Sequence, residues 1–403
     1  MIKKSLLFLS LFSLAGAQSF DEFQQQQEQM QNNDKQDFSR FAKSQEEAFD
    51  TYEKEQLKAL DSYKKSLQTY WNEPKLSTKK EWLSYSDDKK SRADVNFEKN
   101  RIKLETLASS QEEAKKQLKL SLAKVVTVDN KTVQQNDPLE KMLSQVKKPD
   151  GIITKQVKNE PILSNVIFDK KPTKATVSEY VNTNIDDTKI KEENSKINGL
   201  KLYTVEIALP ADTMQKKAQQ YEDVVKEFAS KEGLNPALVF AVIQTESSFN
   251  PRATSYVPAY GLMQIVPSTA GVDAYNYLHS EKKLVTGEYL YDSTNNIEMG
   301  NAYLHILYYN YFKDVKDPLS RLFCSIAAYN TGSGNVAWVF NKEKNISEKQ
   351  KLLATPAAAD INALSSDAVY NKLINELKYD EARQYLKNVS NRALAFSKLY
   401  SKN

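Results

Sequence analysis

Glu246 stands in the stretch Glu246-Ser247-Ser248-Phe249-Asn250-Pro251, and Gly261-Leu262-Met263-Gln264-Ile265 begins fifteen residues later. Asn235 can cap a helix that has Pro236 at its first position, and that helix puts Val239, Val242 and Glu246 on one face. Two effects would raise the pKa of such a carboxylate. Apolar surroundings disfavour the anion, and so does the negative end of the helix dipole. A glutamic acid still protonated near neutral pH can protonate a leaving group. Taken on helix position alone, a helix-end glutamate paired with a lysine is the better fit.

The residues that follow favour chemistry. Gly261 lets backbone approach closely, Met263 offers a soft apolar contact, and Gln264 offers an amide donor and acceptor. Ser255, between the two motifs, could bond Glu246 or a sugar. Farther on, Ala327-Ala328-Tyr329-Asn330-Thr331-Gly332 reads as a helix end. Tyr329 can stack on or bond to a sugar ring, and Asn330 can bind an acetamido carbonyl. Tyr-Asn-x-Gly alone is an ordinary helix stop; the order and spacing of all these pieces carry the signal.

Glu246-Ser247, Gly261-Leu262-Met263-Gln264, Ala328-Tyr329-Asn330 and a late tyrosine, Tyr385, resemble the motif set of the Slt-type lytic transglycosylases. The fold of that family is similar to goose-type lysozyme. The likeness is greatest to its membrane-bound murein transglycosylase C branch. Asn296-Ile297, Gly300, Tyr303-Leu304 and Glu381-Ala382-Arg383-Gln384-Tyr385-Leu386 fit that branch, and Tyr85-Ser86-Asp87 and Val95-Asn96-Phe97 resemble its N-terminal α/β domain. The resemblance implies cleavage of the β-1,4 bond between N-acetylmuramic acid and N-acetylglucosamine in peptidoglycan glycan strands, leaving 1,6-anhydromuramoyl ends. Glu246 would be the catalytic residue. Ser255, Met263, Gln264, Tyr329, Asn330 and Tyr385 would bind substrate, orient the acid or shape the cleft. Ordinary glycosidases use two carboxylates, and no second acid stands beside Glu246 in the motifs. One acid suffices if the substrate's acetamido group attacks the anomeric carbon and Glu246 acts first as acid, then as base. No metal or cofactor is needed. A hydrolytic muramidase and a catalytically inactive peptidoglycan-binding scaffold are the alternatives.

The bulk numbers agree with a soluble globular chain. Its 403 residues allow two domains; 27% are charged and 40% hydrophobic. A net charge of +4 does not argue for nucleic acid. The two histidines, His279 and His305, exclude a multi-histidine metal site and give a Ser-His-Asp triad little support. Cys324 is the only cysteine; among Leu322, Phe323, Ile326 and Ala327 it reads as a core residue. Lys3 and Lys4, an apolar run from Leu6 to Leu14, and Ala15-Gly16-Ala17 read as a secretory signal peptide over residues 1–17. The expected destination is the periplasm. Alanine stands where a lipoprotein would carry its cysteine, so lipidation at that point is not expected.

The elements that must position the motifs follow from pattern. The expected class is α+β, with a lysozyme-like, mainly helical catalytic domain over 211–403, an α/β accessory domain over 74–210, and a long polar helix over 18–73. Phe38-Ser39-Arg40-Phe41, Phe49-Asp50-Thr51-Tyr52 and Leu60-Asp61-Ser62-Tyr63 repeat every eleven residues, and Trp71 keeps the phase. An eleven-residue period gives a nearly straight apolar stripe. That stripe could lie on its own domain, pair in a coiled coil, or touch a membrane or protein partner through residues 20–73. Pro74 is expected to end the helix. Val95 and Phe97, a turn at Lys99-Asn100, and Ile102 and Leu104 predict a hairpin. A helix is expected from about Ser110 to Lys124, and a strand from Tyr203 to Leu209. Met214, Ala218, Tyr221, Val225 and Phe228 predict one helix face. Asp292 or Ser293 and Asp317-Pro318 predict two more helix starts, the second with Leu319, Leu322, Phe323 and Ile326 inward.

Overall fold

The computed structural model describes residues 47–400 apart from Val257. The segment 1–17 and the repeat at Phe38–Phe41 lie outside the described residues. The chain divides into two units between Glu53 and Lys54. In the first, residues 47–53 are helical and the Phe49 and Tyr52 rings stand 6.0 Å apart.

In the second unit residues 54–67 are helical and a turn follows at 68–70. The helix therefore stops before Pro74, because Trp71 is drawn onto the sheet. Its indole N–H donates to the Lys89 carbonyl at 2.8 Å, and the Lys196 ammonium donates to the Trp71 carbonyl at 3.1 Å. Tyr63, Leu67 and Trp71 bury against Leu83 and Tyr85. Here the stripe is laid on its own domain. Each such side chain contributes about 1.5–3 kcal/mol.

Five antiparallel strands run β1 Glu81–Tyr85, β2 Ser91–Asn96, β3 Arg101–Ala108, β4 Lys191–Asn194 and β5 Lys201–Ala208, in the spatial order β1-β2-β3-β5-β4. The expected hairpin is β2–β3, with Val95 opposite Ile102, and the expected late strand is β5, with Leu104 opposite Val205. Alternation sends Trp82, Val95, Ile102, Leu104 and Val205 to one face, where the helix Gln111–Thr127 covers them with Ala114, Leu118, Leu122 and Val125. Ser110 caps that helix by accepting from Glu113 N–H. On the other face Arg92 pairs with Glu105 at 2.5 Å, and its guanidinium lies 4.1 Å from the Trp71 ring centre. β4 reads Lys-Glu-Glu-Asn and is exposed throughout. It has no apolar alternation to reveal it and is an edge strand blunted by charge.

The remainder is helical, so the chain is α+β. The single helix expected over Met214–Phe228 is two, Thr213–Gln220 and Glu222–Lys231. The break falls at Tyr221, whose ring stacks on Phe249 at 6.3 Å and whose hydroxyl donates to Glu160 at 2.5 Å. Pro236–Glu246, Ser293–His305 and Pro318–Thr331 begin where expected, capped by Asn235, Asp292 and Asp317. Leu319 is 44% exposed rather than inward. It lies in the first turn of its helix. The helix Asp380–Tyr400 closes the chain and packs on Pro236–Glu246, with Phe396 against Phe240 at 5.3 Å. Cys324 is fully buried in this second core, and burial pushes its thiol pKa up.

Buried polar contacts hold the sheet-bearing half against the helical half. Arg252 is ion-paired with Glu140, donates to Gln134 at 2.9 Å and to Asn130 at 3.2 Å, and lies 3.7 Å from the Tyr291 ring centre. The Lys217 ammonium donates to the Ile162 carbonyl. Ile153 N–H donates to Leu284 at 2.8 Å, and its carbonyl accepts from Thr286 at 2.9 Å.

Candidate active site

Glu246 ends a helix in which Ala237 through Ile243 are all buried. The helix is apolar on every side, not along one stripe, so it runs through the core and delivers its last residue from inside. The chain then reverses sharply. Ser248 and Phe249 both take left-handed backbone conformations, φ 51° and 62°. That is uncommon for a bulky residue and is held by full burial of Phe249. The Glu246 carboxylate keeps only 6% of its side-chain surface exposed.

A loop and two helix ends complete the surround. Gly261 has φ 74°, and a β-carbon there would overlap the Asn296 amide and the Leu290 carbonyl, so only glycine fits. Asn296 holds this loop on both sides. It donates to the Tyr260 carbonyl at 2.8 Å and the Leu290 carbonyl at 2.9 Å, and accepts from Met263 N–H at 2.7 Å. Gly300 gives room for the Met263 thioether, which a β-carbon would displace. Gln264, at φ 50°, donates from Nε2 to the Gly261 carbonyl at 3.0 Å. Its Oε1 is buried without a partner. The Tyr329 hydroxyl donates to the Met263 carbonyl at 2.9 Å. Gly332, at φ 83°, ends the helix that carries Tyr329 and Asn330.

A cleft of about 370 Å³ is lined by Glu246, Ser255, Gln264, Tyr329 and Asn330. Five of the seven residues singled out in the sequence therefore meet at one surface. Tyr385 does not line it; the residue is buried on the closing helix, and its hydroxyl interacts with Glu246. Met263, expected to touch substrate, does not line the cleft. Its side chain is fully buried against Gly300, and its backbone positions Tyr329 and the Gln264 loop.

The sequence reading missed three cleft residues that carry charge or an aromatic ring: Lys79, Tyr379 and Glu381. Lys79 comes from the turn before β1. Its ammonium lies 3.8 Å from Glu246 Oε2 and 3.4 Å from Glu381 Oε1. A second carboxylate therefore does share the cleft, contrary to the sequence expectation. Glu381 was visible in the closing motif, but only the fold of Asp380–Tyr400 back over Pro236–Glu246 brings it here. No local signal marked Lys79.

Burial holds the Glu246 pKa above the usual carboxylate range. Lys79 opposes this most strongly, followed by the Tyr385 hydroxyl. The negative charge of Glu381 reinforces it, and Lys80 opposes it weakly. Burial also raises the pKa of Tyr329 and Tyr385. The site thus holds a sheltered acid and an orphaned amide oxygen beside a cleft of ligand-binding size. Among the described residues no group of three or more His, Cys, Asp or Glu is placed to hold a metal ion.

Residues 223–352 match the transglycosylase SLT domain, and residues 50–220 match the N-terminal domain of membrane-bound lytic murein transglycosylase C. A membrane-bound lytic murein transglycosylase C from Klebsiella pneumoniae is 31% identical over 333 residues, spanning 81% of this chain and 84% of the relative. The chain belongs to this family of lytic transglycosylases. A Serratia proteamaculans member is 30% identical over 335 residues, spanning 81% and 85%, and a Haemophilus ducreyi member 31% over 325 residues, spanning 79% and 80%. The 70-kDa soluble lytic transglycosylase of Escherichia coli aligns at 24% identity and a TM-score of 0.33, over 45% of this chain and 26% of that one. The family's boundary between matched regions falls at 220–223, beside the helix break at Tyr221. Among the described residues no helix is long and apolar enough to cross a membrane.

Proposed function

We propose that this enzyme cleaves the β-1,4 bond between N-acetylmuramic acid and N-acetylglucosamine in peptidoglycan and leaves 1,6-anhydromuramoyl ends. The observation that carries this reading is the buried Glu246, its pKa raised by burial, at the wall of a cleft lined by Gln264, Tyr329 and Asn330. In the first step Glu246 gives its proton to the 4-oxygen of the leaving N-acetylglucosamine. The acetamido carbonyl oxygen of the muramoyl residue bonds to C1 as the glycosidic C1–O bond breaks. In the second step the Glu246 carboxylate takes the proton of the muramoyl 6-hydroxyl. O6 bonds to C1, the acetamido oxygen leaves C1, and Glu246 is again protonated. One bond to C1 is exchanged for another and no water is consumed. On this reading Asn330 and Gln264 bind amide groups of the substrate, and Ser255 and Tyr385 orient the acid.

The second carboxylate gives the hydrolytic reading a specific observation of its own. Glu381 could activate water, as paired carboxylates do in ordinary glycosidases. Its side chain, however, is 72% exposed, whereas that of Glu246 is 6% exposed. That asymmetry favours Glu246 acting alone at the bond. The place of action on this reading is the periplasm, with residues 1–17 as export signal and peptidoglycan glycan strands as partner. Glu246→Gln tests the assignment. It should abolish release of soluble fragments from purified sacculi while circular dichroism stays unchanged. Digestion at the wild-type rate would refute it.

A further inference from the structure

The turn that precedes β1 belongs to the sheet-bearing half, yet it is fastened to the loop after Glu246. Asn250 donates from Nδ2 to the Lys79 carbonyl at 3.4 Å, and Thr254 N–H donates to the Thr78 carbonyl at 3.4 Å. The turn is also tied to itself. Thr78 N–H donates to the Glu81 carbonyl at 2.8 Å, and its hydroxyl oxygen accepts from Glu81 N–H at 3.1 Å. Lys79 is thus presented from a backbone fixed at both ends, and its ammonium bridges the two carboxylates of the cleft, Glu246 at 3.8 Å and Glu381 at 3.4 Å. We propose that Lys79 is a positioning residue for catalysis: shared between Glu246 and Glu381, it supports the carboxylate form of Glu246 between the acid step and the base step.

The inference rests on the acid-then-base reading above. In that reading Glu246 must first hold a proton and then, having given it up, exist as an anion in a site from which water is largely excluded. Burial suits the first state and opposes the second. A cation about 4 Å away helps the second state without occupying the cleft, and Glu381 limits how far it helps by drawing the ammonium toward solvent. The groups facing Glu246 are few. Lys79 and Lys80 come from the turn before β1, Glu381 and Tyr385 from Asp380–Tyr400, and Tyr329 from Pro318–Thr331. Arg392, also on the closing helix, is engaged with the Thr245 hydroxyl at 2.8 Å. Lys79 is the cation nearest the carboxylate among them, and it comes from outside the catalytic half. The sheet-bearing half therefore supplies a working part of the active site.

The test is the pH dependence of kcat/KM for fragment release from purified sacculi, measured on the full chain. Activity falls at high pH as Glu246 loses its proton. Lys79→Met removes a cation, so Glu246 holds its proton to higher pH. The alkaline limb should then move up by on the order of one pH unit, with kcat lowered because the anion loses support. Glu381→Gln removes an anion, and the limb should move down. Lys79→Arg should restore the wild-type limb. Opposite displacements cannot come from general loosening of the fold, which would lower rates without moving the limb in both directions. If neither substitution moves the limb, or both move it the same way, the role assigned to Lys79 is wrong even though Glu246→Gln is inactive. If Glu246→Gln keeps activity, the acid-then-base reading itself falls, whatever Lys79 does.

Discussion

A carboxylate raised in pKa by burial is a liability to the fold as well as an asset to the chemistry. In the unfolded chain Glu246 would ionise near the ordinary glutamate value of about 4.3; in the fold, burial keeps it protonated to higher pH. Between those two values the native state holds the extra proton, so stability falls as pH rises through that window. Glu246→Gln should therefore raise the melting temperature at neutral pH, and the gain should vanish below about pH 4, where both states are protonated. Calorimetry of the two proteins across that range checks it; a gain that persisted in acid would point to packing instead. The site was only partly legible at this scale. Glu246, Gln264, Tyr329 and Asn330 sit in short local motifs and could be picked out. Lys79 could not, because a lysine in a polar turn looks like any solvated lysine until the fold brings it to the acid. The burial of Met263 and its backbone contacts leave no trace in residue type.

At the scale of elements, the cleft depends on the loop 260–264, and that loop depends on Asn296. Three hydrogen bonds from one amide fix Tyr260, Leu290 and Met263, and through Met263 they fix the Tyr329 hydroxyl. Asn296→Ala leaves those buried groups unpaired, at a cost of about 1–3 kcal/mol for each one that finds no water. Urea denaturation should show a loss of at least about 2 kcal/mol, and fragment release should fall further than stability alone explains, since Gln264 and Tyr329 lose their register. Helix starts here were readable because Asn235-Pro236, Asp292 and Asp317-Pro318 combine a cap with a helix-compatible second residue. The strand β2–β3–β5 core was readable from alternation. The break at Tyr221 and the edge strand β4 were not, because both arise from tertiary contacts: a ring stacked on Phe249 and a polar segment paired to β5.

Across the described residues, the two halves are joined by buried charge as well as by apolar packing, and the candidate cleft takes Lys79 from one half and Glu246 from the other. Arg252 is the central tie, and among the described residues Glu140 is its only carboxylate partner within ion-pair distance. Glu140→Ala strands a buried guanidinium and should cost about 3–5 kcal/mol. Combining it with Arg252→Met should recover part of that loss. A double-mutant cycle by denaturation measures the coupling; simple additivity would mean the pair does not hold the halves together. Nothing in the sequence announced this arrangement, since Glu140 lies in a polar stretch and Arg252 follows a proline in what reads as a turn. The claim that the assembled molecule uses one sheltered acid, with no water consumed, is settled by the masses of the muropeptides it releases from purified peptidoglycan. Fragments ending in 1,6-anhydromuramic acid, lighter by one water than their hydrolysed counterparts and absent with Glu246→Gln, are the expected result. Fragments with reducing ends would contradict it and hand the second carboxylate, Glu381, the role of a water-activating base.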